Sequence, residues 1–332
     1  MAVNLAERQE RVMITPQILF HTFHELQSRG LDPGRDPDWS VFRADGTLPN
    51  HQRISFLQSQ ALLLRALDLS GDPDLGLAVG YRQTFASFGL VAAAMLASPT
   101  LRDAVHVGLR YHSILGTMLD FDATERPDGG LLITMQSRFA GSPVRRFLMQ
   151  EAHVMILIAA RFMSAGRNPV LKVTTPFRPV DRRRFSAFCA CEVEYGAERQ
   201  SVLLAGPVLD TANPQADSFA FAETQLALQA LVDAEQGQRD MLHAIEARII
   251  RSLPEVEPLA RVAAAFGTSE RSLRRRLEEA GTSYRALLHT VRLARARARM
   301  NAGGMTREQI AHELGFEDAR SLRRLLQSRH PS

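Results

Sequence analysis

A short arginine-rich phrase appears twice near the carboxyl end of this 332-residue chain, as RSLRRRL at 271–277 and as RSLRRLL at 320–326. The residues before each copy also correspond, because VAAAFG at 262–267 matches IAHELG at 310–315, 48 positions later. The arginine phrases are 49 positions apart, so the second copy has one extra residue between its two halves. A match that extends over both halves predicts that one supersecondary unit is present twice.

Each copy has the pattern of a helix-turn-helix. In the first copy, apolar residues recur at helical spacing up to Phe266, Gly267 permits a left-handed turn, and Ser269 is a good N-cap for a second helix. Leu273 and Leu277 are four residues apart and therefore face the core from that second helix. The arginines around them are predicted to lie on the opposite face. In a helix-turn-helix, the second helix enters the major groove of DNA.

A long amphipathic segment, SYRALLHTVRLARARARMNAG at 283–303, separates the two copies. About 18 of its residues are expected to be helical and would span about 27 Å, at about 1.5 Å per residue. A helix of that length could hold two groove-binding helices roughly one DNA turn, about 34 Å, apart. The duplication therefore predicts two DNA readers in one chain.

The charge of the chain is unevenly distributed. From Arg239 to the end there are 18 arginines against 11 acidic residues, whereas the preceding 238 residues hold 22 basic and 25 acidic residues. The basic excess points to nucleic acid as a partner of the back part only. Lys172 is the sole lysine, so the number of arginines is weaker support than their positions.

The chain before the duplicated region mixes helical and strand patterns, which predicts an α+β domain. Apolar spacing predicts a buried helix at 150–163. A polar stretch at 235–238 predicts a break between two helices, and we place the domain boundary there, with an α+β domain at 1–235 and an all-α domain at 236–332. The strand-like runs are LDFDATERPDGGLLITMQS, VLKVTTPF, EVEYGA and SVLLAG.

From about residue 244 to 327 the chain resembles the DNA-binding domain of the AraC/XylS family of bacterial transcription regulators. EEAGTSYRALLHTVRLARARARM is similar to the linker helix of that family, and ELGFEDARSLRRLL is similar to its second motif. The front resembles the arabinose-regulator type of effector domain, in FGLVAAAMLASPTLRDAV and in the stretch that runs from PFRPVDRRRF to LDTANPQAD. The resemblance implies helix-turn-helix motifs at about 258–278 and 306–327 and a linker helix at about 283–301.

The same resemblance implies which residues face DNA, and its arginines are those that the leucine spacing places on the exposed face. Arginine can pair bidentately with guanine, a contact worth about 1 to 3 kcal/mol of discrimination, and serine hydroxyls can donate to phosphates. Arg276, Arg292, Arg295, Arg297 and Arg299 are expected only to solubilise their helices or to contact phosphates. The implied DNA-binding residues are Ser269, Arg271, Ser272, Arg274, Arg275, Ala319, Arg320, Ser321, Arg323 and Arg324.

The partners that the resemblance implies are double-stranded promoter DNA, RNA polymerase, an unknown small-molecule effector and a second copy of the chain. The sequence assigns no residue to an effector site, and no cofactor is expected. The resemblance implies dimerisation through the front domain or through a helix at 219–234. Apolar residues at helical spacing in that stretch fit a dimer seam or packing on the chain's own core equally well. These residues are Phe219, Ala222, Leu226 and Ala230.

One feature departs from the family. Its members continue past the second motif with an aromatic residue, a Gly-x-Ser-Pro turn and a final helix, whereas this sequence ends at RLLQSRHPS. We therefore expect a weaker second reader, in which Leu325 and Leu326 lose part of their apolar cover.

Signals for an enzyme are poor, because GxGxxG, GxxxxGK, GxSxG and HExxH are all absent from the sequence. His21 and His24 are spaced for one face of a helix but are more often surface residues than metal ligands. Glu151 and His153 are expected to be satisfied core or pocket groups. The most apolar stretch, VMILIAA at 154–160, is far shorter than the ~20 residues of a membrane helix, and no signal peptide is evident, so a cytoplasmic protein is predicted.

Two alternatives to a sequence-specific regulator stay open at this point. One is a small-molecule-binding protein or enzyme with a vestigial DNA-binding domain, which the short carboxyl end favours. The other is a DNA-packaging protein without sequence preference. Measured DNA binding separates all three.

Overall fold

The structure is a computed structural model, and it describes residues 13–14, 16–40, 42–43, 45–47, 54–138, 141–164 and 167–327. The chain divides into two compact units, of which the front unit ends at Val232 and the back unit begins at Asp233. None of the helices in these described ranges is long and apolar enough to cross a membrane.

The front unit contains both helices and strands, as the α+β prediction requires. Its helices are α1 (Gln17–Ser28), α2 (Phe56–Ser70), α3 (Leu75–Arg82), α4 (Gly89–Ala97), α5 (Leu101–Arg110), α6 (Arg145–Met163), α7 (Arg182–Cys189) and α8 (Gly206–Leu209). Its strands are β1 (Met13–Ile14), β2 (Ile54–Ser55), β3 (Leu119–Glu125), β4 (Leu131–Ser137), β5 (Val170–Thr175), β6 (Glu192–Tyr195) and β7 (Gln200–Leu204).

Strands β3 to β7 form one sheet in the order β3-β4-β7-β5-β6. All neighbours are antiparallel except the parallel pair β5 and β6, and a bulge interrupts β5 at Leu171. Alternate residues of β4, including Leu131, Ile133 and Met135, are at most 3% exposed and form part of the front core. The predicted hairpin across the Pro-Asp-Gly-Gly turn is therefore confirmed, as are the three later strands.

Helix α6 is the central helix of the front core and packs closely on α3. Two glycines make this approach possible, since a Cβ atom on Gly76 would clash with the backbone of Phe147 and one on Gly80 would lie 2.7 Å from Val154 Cβ. Along α6, eleven residues from Phe147 to Ala160 are buried. The predicted buried helix at 150–163 is confirmed and begins one turn earlier.

Residues 218–252 form a single helix, α9 (Ser218–Ser252), so the predicted break at 235–238 is wrong. Glutamate and glutamine are good helix formers, and one interior glycine costs only about 1 kcal/mol relative to alanine. Two i,i+4 contacts also support this stretch, from Gln236 to Asp240 at 2.8 Å and from Arg239 to Glu235 at 3.3 Å. The boundary between the two units lies within α9, between Val232 and Asp233.

The back unit consists of helices in the described residues. After α9 come α10 (Leu259–Ala265), α11 (Glu270–Glu279), α12 (Tyr284–Ala302), α13 (Arg307–Glu313) and α14 (Ala319–Gln327). These helices bury two apolar clusters, one around α10 and α11 and the other around α13 and α14. Helix α12 contributes Leu287 and Val291 to the first cluster and Ala296 to the second, so one helix belongs to both cores.

Candidate nucleic-acid interface and ligand cavity

Helix α11 presents its leucines to the core and its arginines to solvent. Leu273 is 0% and Leu277 is 1% exposed, and both belong to the first cluster of the back unit. Arg271, Arg274 and Arg275 are all exposed. The face assigned from leucine spacing is therefore the face that the structure leaves free for a ligand.

Helix α14 repeats this arrangement with a different leucine spacing. Leu322 and Leu325 are buried at 1% and 6% exposure, whereas Leu326 is half-buried. The expected loss of cover is therefore wrong for Leu325, because the second cluster of the back unit, which includes Ala296 of α12, covers it. The arginines of α14, at 320, 323 and 324, are exposed, and Ala319 is half-buried.

Both helices begin at equivalent N-caps. The Oγ atom of Ser269 accepts a hydrogen bond from the backbone N–H of Ser272 at 3.1 Å and donates to the Ser272 hydroxyl at 2.9 Å. At the matching position of the second copy, Asp318 Oδ1 accepts from the Ser321 N–H at 2.7 Å. Hydrogen bonds from Ser321 lower the pKa of Asp318. The two serines of α11 therefore stabilise its first turn in this structure.

Some of the candidate arginines have partners on their own helix. Arg274 pairs with Glu270 at 2.7 Å and Arg275 with Glu279 at 3.4 Å, in exposed i,i+4 geometry. Exposed pairs of this kind are worth only about 0.3 to 0.5 kcal/mol, so DNA phosphates or base edges can replace them at small cost.

The remaining candidate arginines have no ion-pair partner among the described residues of their own helix. Arg324 donates to the Ser321 hydroxyl at 3.2 Å. For Arg271, Arg320 and Arg323 the described part of the chain contains no hydrogen-bond or ion-pair partner. The two arginines that begin RSLRR, one in each copy, are thus equally available to a ligand.

The turn of each unit contains a glycine with positive φ, at +62° for Gly267 and +74° for Gly315. Both turns close with a bond across six residues, from Thr268 to Ala263 at 3.1 Å and from Phe316 to Ala311 at 3.0 Å. This is the Schellman pattern that ends a helix at a left-handed residue. The turn of the second copy is one residue longer, as the sequence offset predicts.

Arg292 has a structural position that its sequence context did not indicate. Its guanidinium donates to the carbonyl oxygens of Leu314 at 2.8 Å and Gly315 at 3.1 Å, and lies 4.4 Å from the centre of the Phe316 ring. Burial lowers its pKa. Arg292 therefore holds α12 against the end of α13, and the expectation that it only solubilises the helix or contacts phosphate is wrong. A neighbouring contact, from Arg299 to Glu313 at 2.6 Å, joins the same two helices.

The front unit contains a cavity of about 100 Å³ between the sheet and helices α5 and α6. Most of its lining is aliphatic or aromatic, including Val105 and Leu109 of α5 and Ile133 of β4. Five polar side chains also line it: Gln17, Gln83, His112, Thr117 and Glu151. They come from separate segments of the chain, so no local motif marked the cavity.

Glu151 is the most perturbed group of this cavity. It is 8% exposed, and burial raises its pKa to about 7, opposed by a hydrogen bond that Gln83 Nε2 donates to Oε1 at 2.6 Å. His153 does not line the cavity, and its Nε2 atom lies 3.4 Å from the carbonyl oxygen of Ser201. Burial lowers the pKa of His153 to about 4. Of the pair considered from the sequence, Glu151 is a pocket group and His153 a core group.

The histidines of α1 are arranged around aromatic neighbours. His21 and His24 both contact the ring of Phe20 edge-on, and the His24 Nδ1 atom lies 3.1 Å from Gln27 Oε1. Within the described ranges, no group of three or more His, Cys, Asp or Glu side chains is placed to hold a metal ion.

An α+β unit followed by two helix-turn-helix units with exposed arginines defines a DNA-binding regulator of the helix-turn-helix class. Residues 43–213 match the arabinose-binding domain of AraC transcription regulators, and residues 262–330 match a helix-turn-helix domain. The first match spans more than half of the chain, and the chain belongs to the AraC family of transcription regulators.

Relatives of the chain are also named as transcription regulators. The ornithine utilization regulator of Pseudomonas aeruginosa is 26% identical over 279 residues, which are 82% of this chain and 80% of the relative. The helix-turn-helix regulator VqsM of the same species is 23% identical over 75% of this chain and 78% of its own length. The crystal structure of the Pseudomonas aeruginosa regulator CdpR matches 98% of this chain and 95% of its own chain, with a TM-score of 0.49 and 18% identity.

Proposed function

We propose that this protein is an effector-responsive transcription regulator that reads promoter DNA in two adjacent major grooves, with α11 and α14 as tandem recognition helices. The duplicated arginine face carries this proposal. Each helix buries two leucines and exposes arginines at matching positions, and α12 shares a core with both. Bidentate pairing of these arginines with guanine would supply sequence preference.

The front unit is proposed to hold the effector in its cavity. A concave, mostly apolar site with a few polar groups and one perturbed carboxyl is the usual form of a small-molecule site. We infer that the protein works in the bacterial cytoplasm with promoter DNA and RNA polymerase as partners, and that it is not an enzyme.

A homodimer is also proposed, with helix α9 as its seam. Phe219 is 76% and Leu226 is 67% exposed, while Leu228 of the same helix is fully buried in the front core. The stripe identified from the sequence is thus the face of α9 that points away from that core. Sedimentation of the Leu226→Lys variant tests this seam, since it should shift a dimer to monomer at micromolar concentration. A monomeric parent protein would contradict the dimer.

Binding to DNA tests the central proposal. The protein is titrated against its own upstream promoter fragment and a shuffled fragment of equal length, at several salt concentrations. If the protein is a sequence-specific regulator, we expect at least a thousandfold preference for the promoter fragment at physiological salt. Equal affinity for both fragments would favour a packaging protein, and absence of binding even at low salt would favour a vestigial DNA-binding domain.

A further inference from the structure

The cavity of the front unit offers hydrogen-bond acceptors to an entering ligand. The Thr117 hydroxyl donates to the His112 carbonyl, and one N–H of each amide is also used, from Gln17 Nε2 to the Ser87 carbonyl and from Gln83 Nε2 to Glu151. Two acceptors in this cavity, His112 Nε2 and the Glu151 carboxyl group, favour a ligand that donates.

His112 is the first unused acceptor. Its Nδ1 atom lies 2.7 Å from the carbonyl oxygen of Leu109, which can only accept, so Nδ1 carries the ring proton. The Nε2 atom is buried and has no hydrogen-bond partner among the described residues. Burial lowers the pKa of His112, which favours the neutral ring, in which Nε2 is an acceptor.

Glu151 is the second and stronger acceptor. Gln83 donates to its Oε1 atom, and in the described part of the chain no basic side chain pairs with the carboxyl group. The groups that line the cavity from neighbouring elements are Gln17 of α1, Gln83 after α3, His112 after α5, and apolar side chains of α5 and the sheet. A buried carboxylate without a cation is costly, and a cationic ligand would remove that cost.

We propose that this cavity binds a small organic cation, an ammonium group on an apolar body of about four to six non-hydrogen atoms, with the Glu151 carboxylate as its counter-ion. The size follows from the cavity, since about 100 Å³ is somewhat less than the ~150 Å³ that holds benzene. The apolar lining covers the body of the ligand, and the ammonium donates to Glu151. This assignment rests on the proposed effector role of the front unit.

The pH dependence of binding should identify Glu151 as the counter-ion. Because its pKa is about 7, the carboxyl is mostly protonated in the free protein at pH 6 and ionised at pH 8. The ammonium needs the ionised form, so affinity should rise about tenfold between these pH values and then level off. Burial lowers the pKa of the remaining titratable group of the lining, His112, which moves its titration away from this range.

The test uses the full-length protein and three matched probes: n-butylamine, n-butanol and butyrate. Isothermal titration at pH 8 should show the amine binding at least tenfold more tightly than the alcohol, and no binding of butyrate. Glu151→Gln should lower amine affinity at least tenfold and leave alcohol affinity within twofold. Glu198→Gln, which removes an exposed carboxylate, serves as the control for net charge and should change neither.

Three outcomes would each overturn the assignment. They are equal affinity for amine and alcohol, tightest binding of butyrate, and no binding of any probe to the parent protein. The comparison of probes on the parent protein decides the matter even where Glu151→Gln does not fold. DNA affinity with and without n-butylamine is measured separately. If the amine binds and promoter affinity does not change, the proposed effector response fails while the cation site stands.

Discussion

At the scale of single residues, the arginines of the back unit differ both in their contacts and in their exposure. Arg292 contacts two backbone carbonyls and an aromatic ring and so stabilises the fold, whereas Arg297, five residues later on α12, is exposed. Arg274 belongs to a third group, because its ion pair with Glu270 is weak enough to exchange for DNA. Position on a helix, not charge, decides which arginine can carry specificity.

Alanine substitution should separate these roles. Arg274→Ala should relax base preference at one position of the promoter, with a loss of about 1 to 3 kcal/mol on the preferred sequence only. Arg297→Ala should weaken binding to all sequences alike and flatten the salt slope by at most about 1. Anisotropy titrations with single-base variants of the promoter measure both effects. A uniform loss on every sequence for both variants would contradict the assigned face.

Glu151 should make the front unit less stable as the pH rises. Its pKa is about 7 in the folded chain and near 4.5 as an ordinary glutamate, so between these values the folded state holds a proton that the unfolded state has lost. Stability from this group is therefore fully present below about pH 4.5 and declines until about pH 7. Relative to the parent protein, the free energy of unfolding of Glu151→Gln should rise by up to about 3 kcal/mol across that window.

Denaturant titrations followed by tryptophan fluorescence measure this difference. Trp39 is the only tryptophan and is fully buried in the front core, so its signal reports the unit that contains Glu151. Burial lowers the pKa of His153 to about 4, so this group makes the fold more stable as the pH rises. That contribution is the same in both proteins and cancels in their difference. A pH-independent difference between the two proteins would show that the Glu151 carboxyl is ionised in the fold.

At the scale of elements, the two turn glycines are equivalent in conformation but not in surroundings. A Cβ atom on Gly267 would meet nothing within 4 Å, whereas one on Gly315 would clash with the backbone oxygen of Pro254 and lie 3.1 Å from Arg292 Nη2. The second turn therefore packs closely between the segment after α9 and helix α12. Its glycine is required for space as well as for φ.

The two Gly→Ala variants should therefore differ in stability. Gly267→Ala should cost about 1 to 2 kcal/mol, the penalty for a left-handed alanine. Gly315→Ala should cost about 3 kcal/mol or more, because backbone must also move. Hydrogen-exchange protection of α13 and α14, compared with that of α10 and α11, measures each effect locally. Equal losses for both variants would mean that the Pro254 contact does not constrain the turn.

Regular elements of this fold were predictable from the sequence where one periodicity dominates. The helix pairs, the hairpin and the buried helix α6 follow from apolar spacing and turn residues. The false break at 235–238 arose because polarity alone does not end a helix when the residues are good helix formers. The role of Arg292 and the lining of the cavity depend on contacts between distant segments, which spacing along one element does not reveal.

At the scale of the whole molecule, the single helix α9 contains residues of both the acidic front unit and the basic back unit. Its residues up to Val232 belong to the front unit and those from Asp233 to the back unit. Gly237 lies just past that boundary, and apart from its chain neighbours and the nearby backbone of its own helix, nothing lies within 4 Å of where its Cβ would be. Alanine at this position should strengthen the helix by about 1 kcal/mol, whereas proline should break it at a cost of about 3 kcal/mol.

Coupling between effector and DNA should depend on this continuity. If the effector changes promoter affinity by some factor, DNA must change effector affinity by the same factor, within the usual range of about 5 to 150. Gly237→Pro should reduce that factor to near 1 while each ligand alone binds within twofold of the parent protein, and Gly237→Ala should preserve it. Titration of n-butylamine with and without promoter DNA measures the factor for all three proteins. Full coupling in Gly237→Pro would mean that an intact α9 is not needed for the two sites to influence each other, because the variant changes helix continuity and neither site.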